Sequence, residues 1–124
     1  MNLSGARVVA IDDTSSIRTF LRVSFEDEGA EFYGAANAEE GLHLCRELEP
    51  DLVVLDLGLP DRDGLEILPE IKNPEKGTVP SVVILSVRKG KDTIQEAEAK
   101  GADAYVNKPF VVDDLIEVIH EKLD

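Results

Sequence analysis

The chain is 124 residues long, the usual size of one domain, with 43 % apolar and 31 % charged residues. Its 26 acidic and 13 basic residues give a formal charge of -13, which argues against a grip on DNA, RNA or an anionic membrane and permits a divalent cation or a basic partner. No apolar run approaches the roughly 18 residues of a membrane span, no basic and apolar leader opens the sequence, and the lone Cys45 excludes disulfides and cysteine metal sites.

A single domain over residues 1–124, in the cytoplasm, is therefore expected. The first apolar run, Val8-Val9-Ala10-Ile11, leads into Asp12-Asp13. A helical stripe of Ile17, Phe20, Leu21 and Ser24 follows and stops near Gly29. The second run, Phe32-Tyr33-Gly34-Ala35, ends without a polar group, and the next stripe is Ala38, Leu42, Cys45 and Leu48, closed by Pro50. Cys45 in that stripe reads as a buried apolar residue. The third run, Leu52-Val53-Val54-Leu55, ends on Asp56.

The segment from Gly64 to Lys72 makes a poor helix. Pro69 in its interior removes a backbone donor at a cost of roughly 3 kcal/mol, so this helix is predicted to be short, kinked or late in starting. The fourth run, Val82-Val83-Ile84-Leu85, is followed by Ser86, and the next helix stops near Gly101. The fifth, Ala104-Tyr105-Val106, leads to Asn107-Lys108-Pro109. The last helix carries Val112, Leu115, Ile119 and Leu123 on one face. His43 and His120 stand on helices with no visible partner.

These runs are continuous rather than alternating, as in strands covered on both faces of a parallel sheet. The order βαβαβαβαβα predicts a doubly wound α/β fold with right-handed crossovers and helices on both faces. In such a sheet all strands end on one edge, where ligands bind near the topological switch point. The bland second run suits an outer strand, as in a 2-1-3-4-5 order. Asp12, Asp13, Asp56, Ser86 and Lys108 then converge: three carboxylates, one hydroxyl and one ammonium. Crowded carboxylates repel, and Mg²⁺ with its demand for oxygen ligands would relieve them. The ammonium and hydroxyl add a clamp suited to a transferring phosphoryl group, with Asp56 as its acceptor at the end of a central strand.

The chain resembles the receiver domain of bacterial two-component response regulators, a CheY-like, flavodoxin-like (βα)5 three-layer sandwich. The likeness runs from about Arg7 to Leu123. It rests on Asp12-Asp13, on the stretch from Asp56 to Gly64, on Ser86, and on Lys108-Pro109-Phe110. It implies that Asp56 accepts a phosphoryl group from the phosphohistidine of a sensor histidine kinase or phosphotransfer protein. Asp13 would ligate Mg²⁺ directly and Asp12 largely through water, with the Gly58 backbone carbonyl as a further ligand. Lys108 would pair with the phosphoryl oxygens, Ser86 would swing toward them, and Tyr105 would move inward behind it. The Lys108–Pro109 peptide would be cis.

A signalling switch is thus implied, rather than an enzyme beyond its own phosphotransfer and autodephosphorylation. Its altered face, between the fourth helix and the fifth strand and helix, would be read by a protein effector or an attached output domain. No direct nucleic-acid or membrane contact is expected. The protein would be a monomer or a weak phosphorylation-linked dimer; the last helix lacks arginine, which disfavours a salt-bridged dimer through that face. Val87 and Pro69 depart from the family's habit. Val87 replaces a small residue and is expected to narrow the approach to Asp56, and Arg88 is placed to cover the site opposite the open Gly58 side.

Rival readings fit less well. A haloacid-dehalogenase-type phosphatase wants a second Asp where Gly58 stands. An FMN binder would not place Asp12-Asp13 in its phosphate loop. Asp61-x-Asp63-Gly64 with Glu70 mimics part of a calcium loop, but Leu59, Pro60 and Pro69 do not suit one, so a turn or a helix cap is the better reading. A receiver-like interaction module working without phosphorylation is the remaining alternative.

Overall fold

A computed structural model describes residues 1–123. Five strands, β1 (Arg7–Ile11), β2 (Glu31–Ala35), β3 (Leu52–Leu55), β4 (Ser81–Ser86) and β5 (Ala104–Asn107), alternate with five helices. The helices are α1 (Ser15–Asp27), α2 (Ala38–Leu48), α3 (Gly64–Ile71), α4 (Lys91–Ala99) and α5 (Val112–Lys122). The strands form one parallel sheet in the order β2-β1-β3-β4-β5, as predicted.

The two-residue period of a strand divides the core into two layers. Val8, Ala10, Leu52, Val54, Val83 and Leu85 face Leu21 and Phe25 of α1 and Leu115 and Ile119 of α5. Val9, Ile11, Val53, Leu55, Val82 and Ile84 face α2, α3 and α4 through Leu42, Ile67, Leu68 and Ala97. Burial on both faces explains why the runs are continuous. Gly41 lets α2 lie on β1, since a Cβ there would come 2.4 Å from Ile11 Cδ1.

Gly29 (φ +88°) and Gly101 (φ +113°) stand in the left-handed region just after α1 and α4, as a helix stop requires. With Pro69 inside it, α3 is only eight residues long, though it starts on time at Gly64. Burying Ile67, Leu68 and Ile71 offsets the lost backbone bond.

Two expectations need correction. Phe20 does not join the α1 core stripe: it is 47 % exposed and leans on Phe110, with ring centroids 6.1 Å apart. Leu21 and Phe25, one turn apart, set the buried direction, and Phe20 lies about 120° off it around the helix. His120 is not isolated either, because its Nε2 lies 3.4 Å from Glu28 Oε1, joining α5 to the end of α1. His43 is exposed. Burial pushes the Cys45 thiol up to about 12, which makes it inert as a nucleophile.

Candidate functional site

Asp12 and Asp56 leave neighbouring strands at the same level, because Ile11 pairs with Leu55 in the sheet register. The Asp56 backbone N–H continues that ladder by donating to the Ile11 carbonyl at 2.9 Å. Both carboxyls are held inside, Asp12 2 % and Asp56 7 % exposed, while Asp13 faces solvent. Oxygens of all three lie within 4.8 Å of one another.

Lys108 enters from β5. Its Nζ donates to Asp12 Oδ2 at 2.6 Å and lies 3.5 Å from Asp56 Oδ2. Asp12 Oδ1 also accepts the Thr14 N–H at 2.9 Å. Asp56 is held less firmly, accepting the Gly58 N–H at a long 3.4 Å. Burial raises the Asp56 pKa above its ordinary 3.8, Lys108 opposes that rise, and the charge of Asp12 adds to it. One ammonium thus serves two buried carboxylates, with a third at the mouth. A hard divalent cation bound by oxygen ligands fits this donor set, and its charge would offset the excess.

The sequence from residue 8 to residue 120 matches the response regulator receiver domain family. The chain belongs to that family.

Among relatives, this receiver is 36 % identical over 108 residues to the KDP operon transcriptional regulatory protein KdpE of Escherichia coli, covering 87 % of this chain and 47 % of KdpE. The chain thus spans about half the length of that relative. A CheY-like receiver domain protein from Methanospirillum hungatei superposes with a TM-score of 0.88 at 32 % identity, covering 98 % of this chain and 95 % of the other. The beryllofluoride-activated DrrB receiver domain gives 0.84 at 26 % identity, covering 96 % and 97 %.

The same edge of the receiver's sheet is completed by the ends of β4 and β5. Ser86 is buried at the end of β4, and its Oγ accepts the Arg88 backbone N–H at 3.1 Å. Tyr105 is half-buried on β5 and donates its hydroxyl to the Arg88 carbonyl at 2.8 Å. The Lys108–Pro109 peptide is cis, as expected. Gly58 stands open, with nothing within 4 Å of where a Cβ would project. Val87 is 69 % exposed. The Arg88 guanidinium lies across the loop after β3, bound to Asp63 at 2.8 Å and 3.4 Å from the Leu57 carbonyl oxygen.

The acids after Asp56 are caps. Asp63 accepts the Leu65 N–H at 2.9 Å and starts α3. Asp61 reaches across to α2, accepting the Ala38 and Glu39 N–H groups at 2.8 and 3.0 Å. Sequence reasoning missed Asn107, whose Nδ2 donates to the Arg88 carbonyl at 2.8 Å, and the pairing of Asp63 with Arg88. No local pattern could have revealed either, since both join segments distant in the chain. Among the described residues, no buried side-chain polar atom lacks a hydrogen-bond partner, and no helix is long and apolar enough to cross a membrane.

Proposed function

We propose that this receiver is a phosphorylation-activated switch in which Asp56 is the acceptor. The observation that carries the reading is one buried, loosely held carboxylate at the end of a central strand, facing an ammonium and two further carboxylates. An oxygen of ionised Asp56 bonds to phosphorus as the bond from phosphorus to a kinase or carrier imidazole nitrogen breaks, its electron pair returning to the ring. Asp12, Asp13, Asp56 and the Gly58 carbonyl would hold Mg²⁺, which supplies positive charge against the phosphoryl oxygens when bound. Lys108 pairs with the same oxygens, and its charge opposes the rise that burial causes in the Asp56 pKa.

Phosphorylation then places about -1.5 to -2 charge and three acceptors beside Ser86. The Ser86 hydroxyl turns toward them, Tyr105 follows inward, and the face formed by α4, β5 and α5 changes its population of states. The donor is a sensor histidine kinase or phosphotransfer protein. The reader is a protein effector or an attached output domain; KdpE, a transcriptional regulator, favours the latter. The setting is cytoplasmic, and a single receiver fills residues 1–124.

Incubation with acetyl phosphate and Mg²⁺, followed by intact mass measurement, tests this reading. One phosphoryl group should be gained, and none by Asp56→Asn. An unmodified wild-type chain, or a label that survives Asp56→Asn, overturns it. Steady hydrolysis of phosphate esters would indicate the phosphatase instead.

A further inference from the structure

Arg88 is the meeting point of both residues the switch would have to move. Its backbone N–H donates to Ser86 Oγ at 3.1 Å, and its carbonyl accepts the Tyr105 hydroxyl and Asn107 Nδ2, each at 2.8 Å. The side chain leads out of this loop to a different one, binding Asp63 at 2.8 Å and approaching the Leu57 carbonyl at 3.4 Å. Val87, Lys89 and Gly90 are all exposed, and Gly90 (φ +120°) makes the backbone pliant where the loop meets α4.

We infer that Arg88 is a positioning residue: its ion pair with Asp63 latches the loop after β4 in the resting state and thereby opposes activation at Asp56. The inference rests on the proposed switch. Ser86 cannot turn its oxygen to a phosphoryl group and keep its bond from the Arg88 N–H in the present geometry. Tyr105 cannot move inward and keep its bond to the Arg88 carbonyl. Both movements therefore act against whatever fixes residue 88, and the Asp63 pair does so together with the Asn107 bond to its carbonyl. A contact made only in the resting state lowers the apparent affinity for any ligand that selects the active one. The pair is exposed, at 36 % for Arg88 and 43 % for Asp63, so its influence is modest and falls with salt.

Beryllofluoride affinity in the presence of Mg²⁺, measured by calorimetry on the full chain, tests the latch. Asp63→Asn removes the charge and keeps an amide oxygen able to cap α3; Arg88→Met removes the guanidinium and keeps the stem. Each should tighten beryllofluoride binding by about two- to fivefold, and the double variant should add little to either one. Arg88→Lys should fall between Arg88→Met and wild type. The advantage of the double variant over wild type should shrink as salt is raised to about 0.5 M, because screening weakens the pair in wild type and the variant has none. Unchanged or weakened binding in both single variants overturns the latch, as do effects that add independently. Weakening in Arg88→Met with tightening in Asp63→Asn means that the guanidinium instead attracts the phosphoryl analogue. A wild-type chain that binds no beryllofluoride removes the switch itself, and the latch with it.

Discussion

Lys108 is bound more tightly to Asp12 than to Asp56, at 2.6 Å against 3.5 Å. The shared ammonium leaves Asp56, the more loosely held of the two buried carboxylates, with only a long bond from Gly58 besides. An acceptor must be free to form a new bond, and a metal-anchoring acid must stay where it is. The unequal sharing of one cation separates these two roles.

Asp56→Asn should make the chain more stable in metal-free buffer, by about 1 kcal/mol or more. The buried carboxylate is opposed by desolvation and by Asp12, and like charges about 4 Å apart repel on that scale. Lys108 keeps Asp12 as its partner in the variant. Urea unfolding of the two chains gives the difference; a clear loss of stability in Asp56→Asn would contradict it.

That stability gap should depend on pH in a definite direction. Burial raises the Asp56 pKa above its ordinary 3.8, so the folded chain holds this proton more tightly than the unfolded chain does. The group therefore favours folding below 3.8, and the advantage is lost as pH rises through its folded value. The gain from Asp56→Asn should accordingly grow between about pH 4 and pH 7. Asp63 runs the other way, because its bond to Arg88 lowers its pKa: its contribution is present above 3.8 and lost as pH falls through the folded value. Comparing the two chains cancels that background. A gap independent of pH would mean that Asp56 is not strained by its burial.

Lys108→Met should cost about 3 kcal/mol without metal, since it leaves two buried carboxylates facing each other. Mg²⁺ should recover part of that loss. In wild type, a metal that binds only the folded chain adds about 2.7 kcal/mol at a concentration a hundred times its dissociation constant. Asp13→Asn and Asp56→Asn should blunt the rise. Thermal melts across a Mg²⁺ series measure all of this, and equal gains in wild type and both variants would place the metal elsewhere.

Two glycines near Asp56 should respond differently to alanine. A Cβ on Gly64 would lie 2.5 Å from the Asp56 carbonyl oxygen and 2.7 Å from Leu57 Cα, backbone atoms that cannot turn aside. Gly64→Ala should cost about 1–3 kcal/mol and slow acetyl-phosphate labelling by displacing the acceptor. Gly58→Ala meets nothing within 4 Å and should fold as wild type does. Urea midpoints of the two variants decide the comparison.

The strands, their burial on both faces and the set of acids at their ends were legible in the sequence. Apolar periodicity is a property of consecutive residues, and a parallel sheet necessarily brings the end of every strand to one edge. Asp12, Asp13, Asp56, Ser86 and Lys108 could thus be assembled from their positions alone. The chain's folding in space decided the rest. Asp61 caps a helix 23 residues before it, Arg88 finds Asp63 25 residues away, and Lys108 settles on Asp12 across 96. Phe20 turns outward although its spacing suited the core. Such choices depend on which loops meet and on how many neighbours compete for one charge, and only the packed tertiary structure fixes those distances.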